Sequence, residues 1–133
     1  MDLQRLMDSF SKGMRDTRKD YHITLGGLIK ILEGVDKNKV VIFSTGENVG
    51  NENSYRGYYS DLSFDIGSKN KTVGELLKQA KKALNSTYQG YKGGDFVMDE
   101  DTPLWMAEYG SCGTAIVGHI NDEKLVLVCK EID

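Results

Sequence analysis

Two short segments, 54–61 and 88–96, each combine tyrosines with glycine and one cation. The cation is an arginine in the first segment and a lysine in the second. A tyrosine ring stacks on a planar base at little conformational cost, a guanidinium offers phosphate a planar donor fork, and an ammonium offers it a point charge. Glycine lets a ligand approach the backbone, and a Gly-Gly pair can direct amides at an anion. The residues predicted to bind a nucleotide-sized ligand are Tyr55, Arg56, Tyr58, Tyr91, Lys92, Gly93 and Gly94, with Trp105 as a secondary candidate.

The same segments also fit a purely structural role, so the pattern leaves two interpretations open. Tyrosine is a good strand residue, arginine often packs along it, and Gly-Gly suits a turn or a bulge. A lone tryptophan such as Trp105 belongs to a core more often than to a ligand platform. The occurrence of two similar clusters makes a binding site about as well supported as structure alone.

The sequence predicts no catalytic or metal site and no cofactor. The four acidic residues between 95 and 101 do not match a calcium loop, and the two histidines and two cysteines lack the paired spacing of a zinc site. No phosphate-binding P-loop, GxSxG or HExxH motif occurs. Cys112 lies between Ser111 and Gly113 with no base placed beside it. Binding without turnover is therefore the predicted activity.

Size predicts one domain, and the lack of an export or membrane signal favours the cytoplasm. The chain has 133 residues, a formal net charge of −3 and an isoelectric point near 5.4, a balance that argues against a nucleic-acid groove. No run approaches the roughly 18 apolar residues of a membrane span, and the charged N-terminus does not resemble a signal peptide. Two reduced cysteines are the simplest expectation for such a compartment.

Periodicity predicts a helix at the N-terminus and a body at 21–133. An apolar stripe at helical spacing favours a helix from about Leu3 to Arg15, followed by a charged connector to Asp20. This helix either packs on its own domain or forms an oligomer contact. In the body, Thr24 caps a second helix that ends at Gly34, and Thr72 with Glu75 forms a capping box that opens a third.

Apolar runs predict strands at 40–43, 62–66, 96–98, 104–106, 114–120 and 125–129, the last two forming a hairpin. The polar stretch 46–54 is expected to be a loop, and Ser68 to Lys71 a turn. Asp61, Ser63 and Asp65 are expected on the wet face of a half-buried strand. The predicted fold class is α+β, a single domain with a mainly antiparallel sheet and two to three helices on one side.

Four strings in the chain resemble a group of small proteins encoded by bacteriophages and prophages: YHITLG at 21–26, SYRGYYSDL at 54–62, GYKGGDFVM at 90–98 and TPLW at 102–105. The resemblance spans about residues 15 to 118. It implies a role against host defence, where some small phage proteins sequester nucleotide messengers and others block a CRISPR effector. It carries over no catalytic residue.

Three hypotheses follow. The leading one is a phage-encoded homo-oligomer that sequesters a cyclic oligonucleotide or a cyclic ADP-ribose type of signal in the host cytoplasm, with Arg56 and Lys92 on phosphate. The second is a protein–protein inhibitor of a defence effector such as a CRISPR nuclease, an anti-CRISPR. The third is a nucleotide-cleaving enzyme with Asp61 or Asp95 as acid or base.

Overall fold

The computed structural model describes residues 22–55, 60–89, 94–107 and 114–131. The N-terminal helix and connector expected from the sequence lie outside the described residues. Within the described ranges the chain forms two helices and nine strands. Their bounds are α1 Leu25–Glu33, β1 Val40–Phe43, β2 Asn48–Ser54, β3 Leu62–Gly67, β4 Lys71–Thr72, α2 Val73–Ala83, β5 Thr87–Gln89, β6 Asp95–Val97, β7 Leu104–Met106, β8 Thr114–Asn121 and β9 Leu125–Glu131.

Six strands form a closed ring in the order β1, β2, β3, β7, β8 and β9, with β9 pairing back to β1. The pairs β3–β7 and β9–β1 are parallel and the other four pairs of the ring are antiparallel. Strand β4 lies against the first half of β1, where Val41 pairs with Lys71. Strands β5 and β6 pair with each other in a separate two-stranded sheet. The predicted α+β class with a mainly antiparallel sheet is confirmed.

Both described helices begin where their capping residues predict. The Thr24 hydroxyl accepts the Gly27 amide at 3.1 Å, and the Gly34 amide closes the last turn of α1. Thr72 and Glu75 form the reciprocal capping box that opens α2. The two helices pack on each other, and their apolar faces join the inward side chains of the ring in one core. Neither helix is long and apolar enough to cross a membrane.

The prediction of a loop at 46–54 is wrong, because β2 occupies Asn48–Ser54. Only Val49 in this strand is buried, so the sequence shows no apolar alternation. The strand exists because its backbone pairs with β1 at Asn48 and with β3 along most of its length, which closes the ring. Such pairing joins distant segments and leaves no local pattern.

The prediction that Asp61, Ser63 and Asp65 face solvent is wrong for two of the three residues. Asp61 and Ser63 are buried, and of the three polar residues only Asp65 is exposed. The interior provides partners for both: Asp61 accepts the indole N–H of Trp105 at 2.8 Å, and the Ser63 hydroxyl donates to the Asn53 carbonyl. Burial of these polar groups is tolerated because they are hydrogen-bonded.

The remaining strand predictions differ mainly at their edges. Strands β7, β8 and β9 and the β8–β9 hairpin are confirmed, with Asn121 facing Leu125 across its turn. The strand expected at 96–98 is β6, which begins one residue earlier at Asp95. Lys71 and Thr72 form β4, because they pair with β1, whereas Lys71 was expected to end a polar turn.

Candidate functional site

Each of the two predicted ligand segments connects a pair of antiparallel strands. Ser54 of β2 pairs with Leu62 of β3, and the Tyr55 amide donates to the Asp61 carbonyl at 2.9 Å, so the first segment connects these strands. Gln89 of β5 pairs with Asp95 of β6, so the second connects that pair. Five predicted ligand residues lie outside the described residues, namely Arg56, Tyr58, Tyr91, Lys92 and Gly93.

A buried aromatic stack holds both ends of the first segment. The rings of Tyr55 and Trp105 stack with centroids 4.2 Å apart and an interplanar angle of 6°, and the His22 ring lies 4.4 Å from Trp105 in a tilted geometry. Trp105 Nε1 donates to Asp61 Oδ2 at 2.8 Å. Tyr55 and Trp105 are 3% and 4% exposed, and Asp61 is fully buried. Residue 55 and residue 61 are thereby tied to the same tryptophan.

This stack gives Tyr55 and Trp105 a structural role at the base of the segment. With Ala107 and Ala115 they form a second apolar cluster beside the main core. A ligand would reach either ring face only if the stack opened, so direct ligand contact by these two residues stays a prediction. Asp61 was missed as the partner of Trp105, because 44 residues separate the two and no local spacing links them.

A chain of polar side chains, here called the Glu52 network, connects β4, α2, β2 and β5. The Glu52 carboxylate accepts the Gln79 amide at 2.5 Å on Oε2 and the Tyr88 hydroxyl at 3.4 Å on Oε1. Gln79 Nε2 and Lys71 Nζ also donate to the Gly50 carbonyl, at 3.0 and 2.5 Å. Lys71 donates to Gln79 Oε1 as well. Tyr88, which opens the second predicted segment, is therefore attached to β2.

The electrostatics of the network keep the Tyr88 hydroxyl protonated. Burial, together with the negative charge of Glu52 and the hydrogen bond to it, raises the pKa of Tyr88 to about 12. Burial also lowers the pKa of Lys71, while the carboxylates of Glu52, Asp65 and Glu75 oppose that shift. At neutral pH Tyr88 is thus a hydrogen-bond donor, and Glu52 is its acceptor.

Gly94 has a backbone reason for being glycine. Its φ is +88°, in the left-handed region that other residues rarely adopt, and an added Cβ would lie 3.5 Å from the Phe96 ring. The second glycine of the Gly-Gly pair thus serves the turn into β6, as the structural interpretation of the sequence expected. This geometry leaves the predicted role of Gly93 unchanged.

Neither described helix offers a free N-terminus to a phosphate group. The first three amides of α1 donate to the carbonyls of Thr102 and Glu100 and to the hydroxyl of Thr24. Those of α2 donate to the carbonyls of Lys39 and Lys37 and to the hydroxyl of Thr72. Because helix N-termini are common phosphate sites, a phosphate held here would have to rely on side-chain cations.

Two open clefts on the surface have mixed charge and contain none of the predicted ligand residues. One of about 420 Å³ lies between β2, β3 and the start of α2, lined by Asp65, Lys71 and Glu75 among others. The other, of about 320 Å³, runs along α1 beside Glu100 and Asp101. Among the described residues no group of three histidine, cysteine or acidic side chains could hold a metal ion.

Comparison with protein-family models, with curated proteins and with solved structures finds no match to this chain. Function is therefore inferred from the two segments, the stack and the Glu52 network.

Proposed function

We propose that this protein binds a small phosphorylated nucleotide and sequesters it without turnover. The observation that carries the proposal is the contact between the strands that lead into the two predicted segments. Tyr88 of β5 meets Glu52 of β2, only two residues before β2 ends at Ser54. Two segments with the same aromatic, cationic and glycine character would then serve one ligand rather than two unrelated surfaces.

Each segment would supply one cation and at least one stacking ring. Arg56 and Lys92 would bind phosphate, Tyr58 and Tyr91 would stack on the base, and Gly93 would let the ligand approach the backbone. The phosphate charge would fall on these cations, because the described helix N-termini already have partners. The two segments of one copy offer only Arg56 and Lys92 as cations. A symmetric homo-oligomer with the pocket between subunits therefore suits the proposal best.

The resemblance to small phage and prophage proteins supplies the biological context of the proposal. Sequestration in the cytoplasm of a bacterial host would withdraw a nucleotide messenger from a defence effector. A cyclic oligonucleotide or a cyclic ADP-ribose derivative has the planar base and the phosphates that the predicted side chains would recognise.

A thermal-shift screen tests the proposal, with cyclic dinucleotides and cyclic ADP-ribose isomers as probes. A ligand that binds only the folded protein raises Tm, and raises it further as its concentration exceeds Kd. We expect a shift for one probe class, its loss in Arg56→Ala and Lys92→Ala, and its retention in Lys124→Ala. The last is a matched control, because Lys124 lies in the exposed β8–β9 turn.

Chromatography of the released probe separates sequestration from catalysis. Intact probe after incubation supports sequestration, whereas a cleaved product supports the enzyme hypothesis. An Arg56→Ala variant with unchanged affinity for every probe that binds contradicts the proposed site. A flat screen at high probe concentration contradicts nucleotide binding and favours the protein-inhibitor hypothesis, which a pull-down from host lysate would then test.

A further inference from the structure

We propose that Glu52 is a positioning residue that holds strands β5 and β6, which the second predicted segment connects, against β2. The inference rests on the proposed nucleotide binding, because its consequence is measured as ligand affinity. Glu52 does not belong to either predicted segment, and its role follows from the Glu52 network alone.

The hairpin formed by β5 and β6 needs such a support. Each strand has three residues, and within the described residues the two strands pair only with each other. An isolated two-stranded hairpin is marginally stable in water. Tyr88 and Phe96, which pair across the hairpin, pack partly buried against the main core. Packing of these two rings positions the hairpin on the main core. The hydrogen bond from the Tyr88 hydroxyl to Glu52 links the hairpin to β2.

A bulge in β2 places Glu52 for this contact. The pairing of β2 with β3 shifts register between Val49 and Glu52, and such bulges redirect the side chains beside them. The Gly50 carbonyl within the bulge accepts both Lys71 Nζ and Gln79 Nε2. Lys71 and Gln79 thereby fix the irregular backbone from the side of β4 and α2.

Gln79 contacts the carboxylate oxygen of Glu52 that Tyr88 does not. Its amide donates to Oε2 at 2.5 Å while Tyr88 donates to Oε1, so each oxygen has a separate donor. A carboxylate accepts two such donors at once, whereas a glutamine in its place offers only one acceptor oxygen. A glutamine oxygen could still accept the Tyr88 hydroxyl, so the test uses Glu52→Met, which keeps the length of the side chain and removes both acceptor oxygens.

The test compares Tyr88→Phe and Glu52→Met with the unchanged 133-residue chain. Tyr88→Phe keeps the ring that packs on the core and removes only the hydroxyl. The first measurement is hydrogen exchange of the amides at 87–89 and 95–97 without ligand. The second is Kd, by calorimetry, for whichever cyclic dinucleotide or cyclic ADP-ribose isomer gives the largest thermal shift.

We expect faster exchange in the hairpin and a Kd raised roughly 2- to 3-fold in both variants, the low end of the range for one hydrogen bond, because the 3.4 Å contact is long for an O–H···O pair. The double variant should be no worse than the more affected single variant, because both changes break the same link. Glu123→Met in the exposed β8–β9 turn is the matched control and should change neither quantity.

The outcomes distinguish this inference from the proposed function. Normal affinity and normal hairpin exchange in both variants, with binding by the unchanged protein, overturn the positioning role of Glu52 alone. Absence of binding by the unchanged protein overturns the proposed nucleotide function and the inference with it. A purely structural contribution of Glu52 would lower Tm and leave Kd unchanged well below the melting transition, which also contradicts positioning.

Discussion

The indole of Trp105 joins the two ends of the first predicted segment, so its N–H group should matter for stability. Trp105→Phe retains an aromatic ring against Tyr55 but removes the donor to the buried Asp61 carboxylate. Loss of a buried hydrogen bond costs about 1–3 kcal/mol, and the smaller ring adds a cavity cost. We expect the free energy of unfolding to fall by roughly 2 kcal/mol or more, measured by urea denaturation followed by circular dichroism.

Asp61→Asn provides the control for that experiment. The asparagine side chain keeps an oxygen that can accept the indole N–H, so its stability should fall less than that of Trp105→Phe. Equal stability of Trp105→Phe and the unchanged protein would show that the hydrogen bond at 2.8 Å contributes nothing to folding.

Tyr88 should make stability depend on pH in the alkaline range. Its pKa rises on folding from an ordinary value of 10.0 to about 12, chiefly through burial and then through Glu52. The folded state therefore holds the proton more tightly. The resulting stabilisation is complete below pH 10 and is lost as pH rises from about 10 through 12.

Comparison of Tyr88→Phe with the unchanged protein isolates this contribution. The difference between their tyrosinate absorbance titrations should be a single ionisation centred near pH 12, and the alkaline loss of stability should be smaller in the variant. A difference titration centred near pH 10 would mean that Tyr88 is neither shielded from water nor paired with Glu52.

At the scale of single residues, the sequence drew attention to aromatic residue types but did not predict their partners. The tyrosines and the tryptophan were singled out by type, yet Tyr88 contacts Glu52 at a separation of 36 residues and Trp105 contacts Asp61 at 44. No periodicity of a helix or strand extends over such distances. The Glu52 network was missed for the same reason.

At the scale of elements, the local signals succeeded and the non-local ones failed. Thr24, Gly34 and the Thr72–Glu75 box mark their helices because a cap acts within a few residues of itself. Strand β2 has almost no apolar residue to mark it, and it forms because β1 and β3 provide backbone partners on both sides. A polar sequence can thus complete a ring that its own pattern does not predict.

The bulge of β2 should be sensitive to a side chain at Gly50. A Cβ added there would lie 2.0 Å from Asp65 Oδ1 and 3.0 Å from two backbone atoms of β3. The Asp65 oxygen cannot move freely, because it accepts the Asn51 amide at 2.6 Å. We expect Gly50→Ala to destabilise the protein by about 1–3 kcal/mol, the cost of overpacking a fitted site.

A double-mutant cycle with Asp65→Ala tests this explanation. Removal of the carboxylate eliminates the shortest contact, so Gly50→Ala should cost less in the Asp65→Ala background than in the unchanged protein. The backbone contacts at 3.0 Å remain, and part of the cost should remain with them. Additive effects of the two substitutions would contradict a clash with Asp65.

At the scale of the whole molecule, the closed ring joins the two apolar clusters. The ring brings β9, near the end of the chain, parallel to β1, and places Trp105 of β7 two strands away from Leu127 of β9. Each strand of the ring has a neighbour on both sides, so opening of one pair removes support from the rest. The sequence predicted the α+β class but not this closure, which depends on two parallel pairings between distant segments.

Closure predicts that damage to the main core will unfold the aromatic stack at the same time. Leu127 is fully buried in the main core, and Leu127→Ala should cost about 2–5 kcal/mol. Trp105 is the single tryptophan and belongs to the other cluster, so its fluorescence reports the stack while far-ultraviolet circular dichroism reports the whole backbone. In urea, both signals should shift to the same lower midpoint, as one cooperative transition requires. Val97→Ala, at a side chain that is 56% exposed, should move neither midpoint appreciably. A fluorescence midpoint that stays in place while the dichroism midpoint falls would mean that the stack unfolds independently of the ring.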